Sequence, residues 1–183
     1  MSGVAVVATD VQQAFFSGAN ASYRGAGVID GINRLTAAAR AAGAPVFIVR
    51  HDEEGDPEPG YGSEGWQLPA GLVRTGDDIL IRKPVGDPFH ETPLRAHLDR
   101  PGTGRLVICG YATGFCVDTG ARRAALPGSR TTVVSGLHTT RQTSHLTPGQ
   151  VVAHDNRVWE HCSMQGNRVS VRPLADVLAT ESA

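Results

Sequence analysis

Short β-branched apolar runs alternate with stretches of helical spacing along almost the whole chain, and this alternation leaves few folds open. Val4 to Ala8 reads as a buried strand that ends at Asp10. From Ile29 to Ala42, the apolar positions Ile32, Leu35, Ala38, Ala39 and Ala42 fall on one helical face, and Gly43 and Pro45 stop the helix. Further strands are predicted at 46–49, 79–81, 106–109, 132–134 and 169–171. Helices are predicted at 91–98, from about Phe115 to Leu126 before Pro127 and Gly128, at 147–156 with Thr147 as cap, and at 173–178. Strand and helix in alternation imply βαβ units, hence a mainly parallel sheet covered by helices on both faces. The 183 residues are the size of one domain. The segment 51–76, rich in Gly, Pro and acidic residues, is too long for an ordinary connection and is expected to be a binding flap, with a disordered insertion as the alternative.

Charge and composition narrow the class of partner. Lys plus Arg number 17 and Asp plus Glu 18, so no electrostatic argument favours nucleic acid or an anionic membrane, and a small-molecule substrate fits better. The apolar runs are strand-sized, so no membrane span is expected, and residues 1–9 lack the pattern of a signal peptide. The cysteines, Cys109, Cys116 and Cys162, are odd in number and form no CxxC pair, which argues against a disulfide framework and for a cytoplasmic location.

Ligands of open α/β sheets collect beyond the carboxyl ends of the strands. Asp10, Lys83 and Cys116 each stand at or just past such an end, on three different strands. Cys116 closes the turn Gly110-Tyr111-Ala112-Thr113-Gly114-Phe115-Cys116, which places its thiol at a helix N-terminus. There the helix dipole and a neighbouring Lys83 are expected to lower the thiol pKa, and the backbone N–H groups can serve a developing oxyanion. Taken singly, each residue also has a plain structural role: a buried cysteine, a turn aspartate, an exposed lysine. Cys109, inside an apolar strand, is expected to be inert.

Three motifs together, Thr9-Asp10-Val11-Gln12, Arg82-Lys83-Pro84 and Cys109 to Asp118, resemble the isochorismatase-like cysteine hydrolases, a family that includes nicotinamidases and N-carbamoylsarcosine amidohydrolases. The resemblance covers nearly the whole chain. It implies a three-layer α/β/α sandwich with a Rossmann-like six-stranded sheet and a catalytic triad of Asp10, Lys83 and Cys116. It also implies a cis peptide at Tyr111–Ala112 and an oxyanion hole from the N–H groups of Ala112 and Cys116. Relatives commonly assemble, so a homo-oligomer (dimer or tetramer) is expected. Gln12, Phe15, Trp66, Tyr111 and Phe115 are the candidate substrate-binding residues, and Phe89 is a further aromatic near them in kind.

Two departures from the pattern bear on specificity. Gly114 stands where many relatives carry an acid. The stretch after the second strand, Arg50-His51-Asp52-Glu53-Glu54-Gly55, lacks the Asp-x-His of nicotinamidases, so neither a metal nor any other cofactor is expected. His138, His145, His154 and His161 form no HxxxH pair and are read as surface or cap residues. The expected chemistry is hydrolysis of a small C–N bond (amide, ureide or carbamoyl) through a thioester. The alternatives are a vinyl-ether hydrolase of the isochorismatase type and a non-catalytic small-ligand-binding protein of the same fold.

Overall fold

The computed structural model describes residues 3–52, 55, 59–99, 103–125, 130–164 and 166–180. In chain order the elements are β1 (Val4–Thr9), α1 (Gln13–Phe16), α2 (Gly25–Ala41), β2 (Val46–His51), β3 (Ile79–Lys83), α3 (Leu94–Leu98), β4 (Arg105–Tyr111), a π-helical turn (Thr113–Val117), α4 (Asp118–Ala125), β5 (Arg130–Thr139), α5 (Pro148–His161), β6 (Ser163–Met164), β7 (Asn167–Arg172) and α6 (Leu174–Thr180). The sheet order is β3-β2-β1-β4-β5-β7-β6. All neighbours pair in parallel except the two-residue β6, which adds to β7 antiparallel.

β1 is central and buried at every position. Its side chains alternate between two cores, as the period of a strand demands. Val4, Val6 and Ala8 join Ile32, Leu35 and Ala39 of α2 and Val177 of α6 on one face. Ala5 and Val7 join Leu94 of α3, Ala121 and Ala124 of α4 and Trp159 of α5 on the other. The result is the three-layer α/β/α sandwich expected from the sequence. Among the described residues, no helix is long and apolar enough to cross a membrane.

Several boundaries differ from those read in the sequence. The helix predicted at 91–98 is confined to Leu94–Leu98, because Pro93 disfavours helical backbone in the residue before it. The helix predicted from Phe115 opens as the π-helical turn and becomes α-helical only at Asp118; its predicted end at 126–128 lies outside the described residues. α5 runs on to His161, and a capping box of Thr147 and Gln150 starts it. β5 extends to Thr139 because its register on β4 shifts between Ile108 and Gly110, which brings His138 opposite Gly110. Of the predicted flap, residues 59–76 are strapped to the body. Gln13 and Ala14 N–H donate to Gln67 O and Gly65 O (2.7 and 2.8 Å), and Asn33 brackets the far end through Gly71 O and Val73 N–H (2.8 and 2.9 Å). Residues 53, 54 and 56–58 of that segment lie outside the described residues.

The sheet changes direction between β1 and β4: from β1 the chain builds outward through β2 to β3, and from β4 outward through β5. A crevice therefore opens beyond the carboxyl ends of β1 and β4. Gly110 lets these ends approach. Its φ is +121°, and a Cβ there would lie 2.0 Å from Thr9 O. Gly110→Ala should destabilise the fold by about 2 kcal/mol or more. Urea unfolding measures this, and an unchanged midpoint would contradict the close approach.

Candidate active site

Asp10 follows β1 with φ 53°, a left-handed backbone that aspartate tolerates better than most residues. Its N–H donates to Val49 O at 2.8 Å, and its own carbonyl accepts from Gln12 N–H at 2.9 Å. Lys83 ends β3 and is wholly buried, as is Asp10. The Lys83 ammonium pairs with Asp10 Oδ2 at 3.0 Å and donates to Cys116 Sγ at 3.2 Å and to Val85 O at 3.1 Å. His51 Nδ1 lies 3.3 Å from the same nitrogen. Residues from three separate strand ends thus meet around one ammonium group.

Cys116 sits on the π-helical turn that follows β4. The Tyr111–Ala112 peptide bond is cis, and Ala112 O accepts from Phe115 N–H (3.0 Å) and Val117 N–H (3.2 Å). Gly86 flanks the thiol: a Cβ there would stand 3.8 Å from Sγ.

The electrostatics of the thiol differ from the sequence expectation. Burial and, after it, the Asp10 carboxylate push the Cys116 thiol up to about 12, with Lys83 only partly offsetting them. A single π turn holding a desolvated sulfur outweighs the favourable helix end. The resting group is therefore a thiol beside a carboxylate. Burial pulls the Lys83 ammonium down, but Asp10 and Cys116 more than offset it and leave it above its ordinary 10.5. Cys109, fully buried on β4, is likewise pushed up to about 12 by burial alone. Cys162 accepts from Arg122 Nη1 at 3.1 Å.

The candidate substrate-binding residues divide. Phe115, 68% exposed, stands beside Cys116 at the surface. Tyr111 stacks on Phe15 with ring centroids 4.4 Å apart. Burial raises the Tyr111 phenol above its ordinary value, against a lowering by Arg141. Trp66 is buried beneath the Arg50 guanidinium, 3.5 Å from its ring centroid, with Tyr61 against its edge. The Gln12 side chain makes its hydrogen bonds within the protein. It is fully buried, its Oε1 accepts from His51 N–H (2.8 Å), and its Nε2 donates to His51 O (2.9 Å) and Trp66 O (3.5 Å). Its role is to hold the end of β2, because a buried amide must use its donors and acceptors locally. Phe89 belongs to the core under α3 and α4.

His138 corrects the sequence reading. His145, His154 and His161 are exposed, but His138 is buried. Burial pushes its imidazole down to about 4, slightly offset by Asn156. Its Nδ1 lies 3.0 Å from Thr113 Oγ1 and its Nε2 2.9 Å from Asn156 Oδ1. The missed signal lay in the reach of β5: a strand read as ending at Val134 hides the inward position at 138. Among the described residues, no group of three or more His, Cys, Asp or Glu side chains is arranged to hold a metal ion.

Asp10 can be tested apart from any substrate. Asp10→Asn removes a negative charge that raises the thiol pKa and leaves Lys83, which lowers it. The pH midpoint for alkylation of Cys116 by iodoacetamide should therefore fall below that of the wild type. Peptide mass spectrometry across a pH series reads this, and a midpoint that stays or rises would contradict the coupling.

Comparison with known proteins gives the family. The family model of the Isochorismatase domain matches residues 4–147. The chain is 35% identical over 136 residues to a streptothricin hydrolase of Streptomyces noursei, covering 74% of this chain and 49% of that protein. It is 32% identical over 124 residues to the ureidoacrylate amidohydrolase RutB of Klebsiella pneumoniae subsp. pneumoniae, covering 52% of each. The chain thus spans about half the length of these curated relatives. Among solved structures, an isochorismatase family protein superposes with TM-score 0.82 at 30% identity, over 92% of this chain and 97% of that one. A protein of Pseudomonas syringae pv. phaseolicola, described as a cysteine hydrolase, superposes with TM-score 0.88 at 20% identity, over 98% and 92%.

Proposed function

This chain belongs to the isochorismatase family, and from that premise we propose that it hydrolyses a C–N bond of a small amide, ureide or carbamoyl compound, with Cys116 as nucleophile. The observation that carries the reading is the buried ammonium of Lys83, 3.0 Å from Asp10 and 3.2 Å from Cys116. A plain structural cysteine has no need of a carboxylate and an ammonium buried beside it, since burying such charges is costly unless they are put to use. The streptothricin hydrolase and ureidoacrylate amidohydrolase among its relatives support the choice of a C–N bond.

The proposed sequence starts from the thiol. As Cys116 Sγ attacks the carbonyl carbon, its proton passes to Asp10, and the carbonyl oxygen gains charge opposite the N–H groups of Ala112 and Cys116. Collapse of the tetrahedral species breaks the C–N bond, the Asp10 proton moves to the leaving nitrogen, and a thioester remains. A water that gives its proton to Asp10 then attacks the thioester, and the thiolate that leaves takes the proton back. Lys83 stays charged throughout, balancing whichever of Asp10 and Cys116 carries the negative charge. Phe115 and the Phe15–Tyr111 stack provide apolar surface for the rest of the substrate. A thiol pushed up to about 12 is compatible with this scheme, because the proton leaves as the bond forms and not before.

A screen of small amides, ureides and carbamoyl compounds for released amine or ammonia identifies the substrate. Cys116→Ala should then lose about 10³-fold or more in kcat. Full turnover by Cys116→Ala would end this reading.

A further inference from the structure

The π-helical turn that carries Cys116 has a polar support behind it. Asn156 Nδ2 points to Ser135 O at 3.4 Å, and a carbonyl only accepts, so this contact fixes which way the Asn156 amide faces. Its Oδ1 is then directed at His138 Nε2, 2.9 Å away. An amide oxygen also only accepts, so the proton of His138 sits on Nε2, and Nδ1 is left with a lone pair. That lone pair faces Thr113 Oγ1 at 3.0 Å and accepts its hydroxyl proton. Every link has one allowed direction. Thr113 is fully buried and is the first residue of the turn that ends one residue past Cys116.

The same support reaches the turn from a second side. Trp159, three residues beyond Asn156 on α5, packs edge-on against His138 with centroids 5.1 Å apart. Its Nε1 donates to Asp118 Oδ1 at 2.6 Å, just past the turn. Asp118 is held in turn by Arg122 Nε, 2.7 and 2.9 Å from its two oxygens. One face of α5 thus grips the turn at both ends, through Asn156 and His138 at Thr113 and through Trp159 at Asp118.

We propose that His138, oriented by Asn156, is a positioning residue that holds the Thr113 end of the nucleophile turn so that Cys116 and the Ala112 and Cys116 N–H groups stay aligned. This rests on the reading of Cys116 as nucleophile. None of the three side chains touches substrate; they act through the backbone of the turn. The downward shift of the imidazole agrees with a ring that stays neutral near pH 7.

The test uses p-nitrophenyl acetate, whose acetyl group passes to a reactive thiol with release of p-nitrophenolate. Thr113→Val keeps the side-chain shape and removes the hydroxyl. It should slow acylation of Cys116 about ten-fold, the size of one lost hydrogen bond, with little change in half-saturation. Thr113→Ser, which restores the hydroxyl, should recover most of the rate, which a merely structural role would not require. Asn156→Leu provides a second route to the same loss, and melting temperatures identify any variant that has failed to fold. Nitrogen-15 NMR of labelled histidine should show His138 as the Nε2–H tautomer in the wild type. A wild-type acylation rate in Thr113→Val, while Cys116→Ala is silent, overturns this role alone, as does an Nδ1–H tautomer. Equal p-nitrophenolate release by Cys116→Ala overturns the nucleophile reading and this role with it.

Discussion

A single buried ammonium organises this molecule's candidate site. Lys83 has no exposed surface, and an uncompensated cation in such a place would cost several kcal/mol. It is held because Asp10, the Val85 carbonyl and the Cys116 sulfur all lie within 3.0 to 3.2 Å. The requirement runs both ways. A carboxylate after β1 and a thiol after β4 are drawn to the same point because the lysine at the end of β3 needs both. The order of strands provides the means: β1 and β4 are neighbours where the sheet changes direction, and their ends frame the crevice.

This packing sets the character of the sulfur. A cysteine at the start of a helix, next to a lysine, suggests a ready thiolate, yet burial and the adjacent carboxylate push the thiol the other way. In the proposed reaction, proton transfer from the sulfur to Asp10 and attack on the carbonyl belong to one event. On that proposal the thiol would stay quiet until a carbonyl is in place, which would limit unwanted reaction with other electrophiles. It also makes alignment of the turn more demanding, since nothing is gained from a preformed anion. Gripping the turn from α5 at both ends answers that demand.

Much of this was legible in the sequence. Val4 to Ala8, Val46 to Val49 and Leu106 to Cys109 declare buried parallel strands by their unbroken apolar character, and Asp10, Lys83 and Cys116 stand at strand ends that any parallel sheet brings to one edge. What the sequence did not show shares a physical cause. His138 and Gln12 are buried polar side chains whose partners lie far along the chain, Thr113 and Asn156 for one and the His51 backbone for the other, and no local periodicity reports such pairings. The shifted register of β5 on β4, which turns His138 inward, is a pairing property that neither strand reveals alone. The loop-like composition of 51–76 is legible in the sequence; the strapping of 59–76 by Gln12, Gln13 and Asn33 depends on tertiary contacts and is not.

The most direct measurement is to stop turnover of a substrate ester or amide by acid within its first cycles and weigh the tryptic peptide spanning 106–122, which holds both Cys109 and Cys116. Fragmentation should place the acyl mass on Cys116 and leave Cys109 bare. Turnover at the normal rate after Cys116 has been blocked by alkylation would contradict the central claim.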